Sequence, residues 1–320
     1  MLYPLRFHSI LRRYLWGGRR LETLGKTLGE GNDYAESWEI VDRAEEQSVV
    51  SAGPLAGRKL GDLMRQYPRE LMGRHQGASR FPLLFKFLDA QTRLSMQVHP
   101  DDARAKLLDP PDLGKTEAWV IVEAAPRSFL YAGLRQGITR ETLVHELQRQ
   151  TCELCVERIE PAAGDCFFLP AGVVHALGPG LLVAEIQQSS DTTYRLYDWN
   201  RRGPDGQPRA LHIEQALEAI NYDYGPVSAQ LPHDTGRSGL ERLVACDQFV
   251  LDRWKFSGQL MAGGDDGFHI LAVLSGEVSI AGDPSGQPLA KGSVALLPAE
   301  VGQVAVTAAA DAVVLDAYLP

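Results

Sequence analysis

An internal echo constrains this chain more than any other feature. Gly164-Asp165-Cys166-Phe167-Phe168-Leu169-Pro170-Ala171 lines up with Gly292-Ser293-Val294-Ala295-Leu296-Leu297-Pro298-Ala299. Continued without a gap, the match sets His175 against Gln303; run backward, it sets residues 119–124 loosely on 271–276 and Glu117 against His269. A glycine, a short apolar strand and Leu-Pro-Ala at a turn form a recurring hairpin of small β-barrels. Two copies in one chain predict two related barrels.

The text between the copies supplies the other elements. Ser37-Trp38-Glu39-Ile40-Val41 reads as a strand, and residues 81–88 (Phe-Pro-Leu-Leu-Phe-Lys-Phe-Leu) read as a buried strand with one intrusive lysine, Lys86. Leu60, Leu63, Met64, Tyr67 and Leu71 form a helical stripe over residues 60–72. Residues 139–150 form an amphipathic helix with Thr139 at its N-cap, and residues 212–220 a further helix. Residues 224–239, rich in Gly, Pro and Ser, read as a linker. From Leu240 onward there are short strands and turns with no clear helix. The expected fold is mainly β with a helical region: two cupin-type jelly-roll β-barrels plus inserted helices. Residues 1–235 hold the first barrel and the metal site. Residues 236–320 hold a degenerate second barrel, which serves as structure, lid or interface.

The chemistry concentrates in residues 94–119 and at His175. Leu94, Met96 and Val98 alternate with Ser95, Gln97 and His99, so one strand presents the second set on its polar face. The same period puts Lys115 and Glu117 on one face of the next strand. Two adjacent strands then aim an amide oxygen, an imidazole and a carboxylate at one point, and His175, after Leu-Pro-Ala-Gly, supplies a further ligand from the barrel rim. Histidine and carboxylate suit zinc. With Gln97, His99, Glu117 and His175 around a divalent ion, one formal positive charge is left to polarise a substrate oxygen. Lys115 would share the cavity as a proton-transfer group. Arg195, among aromatics in Thr193-Tyr194-Arg195-Leu196-Tyr197, suits a phosphate or an oxyanion. Lys86 cannot be buried unpaired and is expected to reach an anion or a carboxylate. With Ser95 it completes the substrate-binding candidates.

Composition narrows the alternatives. The net charge of −9, from 32 basic against 41 acidic residues, argues against a nucleic-acid partner. No run of about 18 apolar residues occurs, so no membrane span is expected. The first 16 residues lack the apolar core and cleavage site of a signal peptide. Four cysteines, Cys152, Cys155, Cys166 and Cys246, fit reduced thiols in a cytoplasmic protein. Cys152 and Cys155 form a C-x-x-C that reads as the start of a buried strand, since a redox or zinc-knuckle role needs a helix N-terminus or a second pair.

Three stretches carry a resemblance. Gln97-Val98-His99-Pro100-Asp101-Asp102, Gly114-Lys115-Thr116-Glu117-Ala118-Trp119 and Leu169-Pro170-Ala171-Gly172-Val173-Val174-His175 resemble the type I phosphomannose isomerases. Trp16-Gly17-Gly18, Ser37-Trp38-Glu39 and Tyr194-Arg195 support the match, which spans most of residues 4–215 in order and fits the short bacterial form in length. The resemblance implies one zinc per chain and interconversion of mannose 6-phosphate and fructose 6-phosphate through a cis-enediol. It also implies a sugar phosphate as partner. A monomer or weak homodimer is expected. By resemblance Gln97, His99, Glu117 and His175 match the zinc ligands, Arg195 the catalytic arginine, and Lys115 a lysine that assists proton transfer. The proton carrier is left open among Lys115, a nearby carboxylate and a hydroxide on the ion. Residues 200–208 match no motif, so the phosphate pocket is not located. Two rivals are weighed. An iron dioxygenase needs open positions on a two-histidine, one-carboxylate site, which a fourth ligand at Gln97 opposes. A non-catalytic sugar-phosphate sensor should lack Lys115 or Arg195, and both are present.

Overall fold

A computed structural model describes residues 1–203 and 206–320. Residues 204–205, inside the stretch 200–208 that matches no motif, lie outside the described residues.

The first part of the chain contributes β1 (Ile10–Gly18), β2 (Tyr34–Ile40), β3 (Leu83–Ala90), β4 (Met96–Val98), β5 (Glu117–Ala124) and β6 (Leu130–Leu134). It continues with β7 (Val156–Ile159), β8 (Cys166–Leu169), β9 (His175–Leu177), β10 (Leu181–Gln188) and β11 (Tyr194–Tyr197). These build a six-stranded sheet in the order β1-β2-β3-β10-β5-β8 and a five-stranded sheet in the order β11-β4-β9-β6-β7. One core cluster joins Leu88, Trp119, Phe167 and Val183 of the first sheet to Leu130, Ala132 and Leu177 of the second, so the two sheets pack face to face.

The second part contributes β12 (His233–Asp234), β13 (Leu240–Ala245), β14 (Val250–Ala262), β15 (His269–Ser275), β16 (Glu277–Ile280), β17 (Leu289–Ala290), β18 (Val294–Leu297) and β19 (Val304–Tyr318). Its main sheet runs β12-β13-β14-β19-β15-β18. The pairing among the described residues leaves these sheets open, not closed into complete barrels. The echo in the sequence is an echo of pairing. Glu117 faces Leu169 where β5 meets β8, and His269 faces Leu297 where β15 meets β18; the next three pairs run in the same step.

The inner strands β2, β3 and β10 of the six-stranded sheet are buried on both faces. Phe85 and Phe87 of β3, Ala118 and Val120 of β5, and Leu182, Ala184 and Ile186 of β10 pack with Leu251, Ile270, Leu296 and Leu315 of the second part in one continuous cluster. Double burial explains the apolar run at residues 81–88, which only Lys86 interrupts. The alternate residues, among them Lys86, Trp119 and Glu185, point the other way, toward the five-stranded sheet.

Two local expectations change. The stripe over residues 60–72 is two short helices, α1 (Leu60–Gln66) and α2 (Pro68–Met72), because the residue before a proline is driven out of helical geometry; Tyr67 has φ −133° and ψ 47°. The stretch read as a linker is tied down: Val227 is buried, the Gln230 amide donates to the Cys166 carbonyl, and β12 pairs with β13. Between these, α3 (Asp102–Ala105) precedes β5, α4 (Arg140–Gln148) is capped by Thr139, which accepts from the Thr142 amide, and α5 (Ile213–Ala219) follows β11. Cys152 and Cys155 form a buried turn of 3-10 helix leading into β7, both as free thiols.

Candidate metal centre and active site

The site lies between the two facing sheets. β4 pairs with β9 at Gln97 and His175, and β11 pairs with β4 at Arg195 and Gln97. His99 follows β4 directly. Glu117 opens β5, which belongs to the opposite sheet, so it meets the histidines across the sandwich. The expectation of adjacent strands is corrected here: alternation says which face a residue takes, and the partner strand is decided by the sandwich. Lys115 sits just before β5 and not within it, yet its Nζ lies 3.4 Å from Glu117 Oε2.

His99, Glu117 and His175 are buried, and one ligand atom from each lies within 4.8 Å of the others. His175 Nε2 is 3.2 Å from Glu117 Oε1, and His99 Nε2 is 3.5 Å from Glu117 Oε2. Gln97 brings its amide to the same point, with Nε2 3.3 Å from His175 Nε2; as a ligand it would present its oxygen. Each imidazole is oriented from behind. His99 Nδ1 donates to the Thr192 carbonyl and His175 Nδ1 to the Val173 carbonyl, both at 2.9 Å. That fixes the tautomer with a bare Nε2 facing Glu117. Burial, reinforced by Lys115 and His175, holds His99 well below its ordinary value, and burial holds His175 down to about 4. Both rings are therefore neutral at pH 7.

The donor set fits a metal ion. His99 Nε2 and both carboxylate oxygens of Glu117 are buried without a hydrogen bond. Orphaned acceptors of this kind are costly unless something cationic completes them.

Above the cluster is a cavity of about 300 Å³. Lys86, Lys115, Arg195 and Arg209 face it as cations, against the carboxylates of Glu36, Glu185 and Asp191. Ser95, Gln97, Tyr14 and Trp16 also line it. Lys86 meets the expectation set for it: its Nζ lies 3.3 Å from Glu185 Oε1 and 3.6 Å from Glu36 Oε2. These two carboxylates hold the ammonium protonated against burial. Arg195 donates from Nη1 to the Ala210 carbonyl at 2.8 Å, and its Nε is buried without a partner. Arg209 is held bidentately by Asp198, at 2.5 and 2.7 Å, and Arg201 binds the same carboxylate. Burial raises the Asp198 carboxyl, but these arginines more than offset it and leave it below its ordinary value.

Glu185, Glu36, Asp191 and Arg209 were not among the candidates read from the sequence. Glu185 had a signal: a lone glutamate in the apolar stretch Leu181–Gln188 mirrors the lone lysine in residues 81–88, and the two are register partners.

A buried pair of imidazoles and a carboxylate between the sheets of a jelly-roll define a class, the cupins whose interior could hold a metal ion. A family model described as phosphomannose isomerase type I, catalytic domain, matches residues 5–129, and one described as mannose-6-phosphate isomerase, cupin domain, matches residues 240–316. A mannose-6-phosphate isomerase of Bacillus subtilis (strain 168) is 34% identical over 312 residues, 97% of this chain and 98% of that one. The mannose-6-phosphate isomerase of Streptococcus mutans is 35% identical over 303 residues, 93% of each. The crystal structure of the mannose 6-phosphate isomerase from Bacillus subtilis superposes with a TM-score of 0.90, at 29% identity and 99% coverage of both chains. The chain belongs to the type I phosphomannose isomerase family.

Proposed function

We propose that this chain is a zinc-dependent aldose–ketose isomerase that interconverts mannose 6-phosphate and fructose 6-phosphate through a cis-enediol(ate). The observation that carries the proposal is the buried His99, Glu117 and His175 cluster, with its bare acceptors, beneath a cavity in which four cations outnumber three carboxylates.

Gln97, His99, Glu117 and His175 would hold one zinc ion. Bound there, zinc would supply Lewis acidity toward the sugar's carbonyl and so acidify the proton on the carbon beside it. The side chains do the rest. Arg195 and Arg209 form the cationic end of the cavity, suited to a phosphate dianion, with Arg195 also near enough to Gln97 to steady charge on the sugar oxygens. Lys115 and Glu185 are wall groups able to take up a proton and return it one carbon away. Lys86 and Ser95 bind sugar oxygens from the floor and side. The two sheets enclose the site and limit water around the reacting carbons.

One chain supplies every group named, so a monomer or weak homodimer suffices. No helix among the described residues is long and apolar enough to cross a membrane. We place the enzyme in the cytoplasm, where its phosphorylated substrate would be found.

Metal analysis and a coupled assay with mannose 6-phosphate on one purified sample test the reading. About one zinc per chain and turnover are expected, and His99→Ala or Glu117→Ala should abolish both. A variant that keeps full metal and full activity refutes the assignment.

A further inference from the structure

Four side chains run in one row across the six-stranded sheet beneath the cavity. Trp38 of β2 pairs in register with Lys86 of β3, Lys86 with Glu185 of β10, and Glu185 with Trp119 of β5. Lys86 lies between two carboxylates, Glu185 from its own row and Glu36 from β2. Each carboxylate is tied by an indole. Trp119 Nε1 donates to Glu185 Oε2 at 3.0 Å, and Trp38 Nε1 donates to Glu36 Oε2 at 2.5 Å. Both indoles are only 2% exposed.

Two buried carboxylates sharing one ammonium repel each other, and each can satisfy itself by turning toward the lysine. An indole N–H is a donor only, on a ring that cannot rotate once packed, so it fixes which oxygen it takes. For Glu185 the outcome is visible: Oε2 is bound to Trp119, while Oε1 lies 3.3 Å from Lys86 with no hydrogen bond of its own. Trp119 also packs edge-on against His175, with ring centres 5.2 Å apart. One indole thus braces both the metal cluster and the carboxylate array.

We infer that Trp119 and Trp38 are positioning residues of the isomerase site, their indole N–H groups holding Glu185 and Glu36 on either side of Lys86 so that Glu185 Oε1 stays turned to the Lys86 ammonium in the wall of the cavity. The inference rests on the isomerase reading for its kinetic consequence, but the array can be tested without turnover.

Trp119→Phe and Trp38→Phe keep the aromatic packing and remove the donor. In the zinc-loaded full chain, Trp119→Phe is expected to lower kcat by about tenfold or more, the scale of one charge-assisted hydrogen bond. KM should stay within about twofold and zinc at the wild-type level, as expected when an interaction made in the transition state is lost. Trp38→Phe should lower kcat less. In a ¹H–¹⁵N spectrum without substrate, the indole N–H signals of Trp38 and Trp119 should lie downfield of the other tryptophans, and both should move in Lys86→Met. Unchanged kcat in Trp119→Phe overturns the inference, as does a loss of rate that only follows loss of zinc. Indole signals unmoved by Lys86→Met overturn it independently of catalysis. A wild-type chain that turns over no mannose 6-phosphate removes the functional reading instead, and the spectrum then decides the array alone.

Discussion

Replacing Lys86 by methionine should leave two buried carboxylates without their cation. The lysine side chain is 7% exposed, with Glu185 at 3% and Glu36 at 10%. Breaking a buried pair by removing one partner costs about 3–5 kcal/mol, because the remaining charge stays desolvated. Methionine fills most of the volume and both indole donors remain, so the lower end, about 3 kcal/mol, is expected. That corresponds to a fall in Tm of roughly 6–12 °C at neutral pH. Lys86→Met/Glu185→Gln, with the surplus charge removed, should recover more than half of the loss. The pH dependence has a definite sign. Burial already raises the Glu185 carboxyl, and Lys86 is the main influence lowering it. Without Lys86 its folded value rises further above the unfolded one. A group so raised favours folding below its unfolded value and loses that contribution as pH climbs through the folded value. The deficit should therefore be largest near pH 8 and shrink toward pH 5. Thermal melts of the three proteins at pH 5, 6.5 and 8 decide the matter. A fall under about 1 kcal/mol at pH 8, or a deficit that grows on acidification, would refute the reasoning.

Four further outcomes follow from the same structure. Arg195→Ala should lose most of its kcat while keeping wild-type zinc, measured by steady-state kinetics beside metal analysis; an unchanged rate removes Arg195 from the mechanism. Arg209→Ala should raise KM for mannose 6-phosphate by about tenfold and weaken inhibition by inorganic phosphate, the scale of one lost charged contact. The metal-free protein should lose stability as pH falls from about 6.5 toward 4, because burial holds His175 down to about 4 and the unfolded chain takes up the proton first; a melting temperature flat over that window contradicts it. Thr139→Ala removes the cap of α4 and should cost about 1 kcal/mol by urea unfolding with no effect on turnover.

Period-two alternation was enough to read Ser95, Gln97 and His99 as one face, because that rule needs only the local chain. It could not pair the strands. Glu117 reaches the histidines from the opposite sheet, and nothing in residues 94–119 says that a sandwich stands between them. The echo of residues 164–171 in 292–299 was legible down to the register, since a glycine turn and a paired strand must fall at the same step in both copies. Whether the sheets close was not, since closure depends on strand tilt and edge pairing. Pro68 was a readable stop that the apolar stripe of residues 60–72 masked. Glu185 and Arg209 were missed for different reasons. Glu185 hides in a doubly buried strand where only its partnership with Lys86 gives it meaning, and Arg209 lies beyond Asp198, whose clamp on it is a tertiary fact.

The six-stranded sheet has consequences for anyone who would shorten this enzyme. Its reverse side is a wall of phenylalanine, leucine and isoleucine roofed by residues from beyond position 240. Cutting the chain near position 235 would leave that wall bare, a single strand's thickness from the proposed metal site. Such a fragment should clump or capture a hydrophobic dye, and recolouring the wall with polar groups would have to come before any attempt at a minimal catalyst.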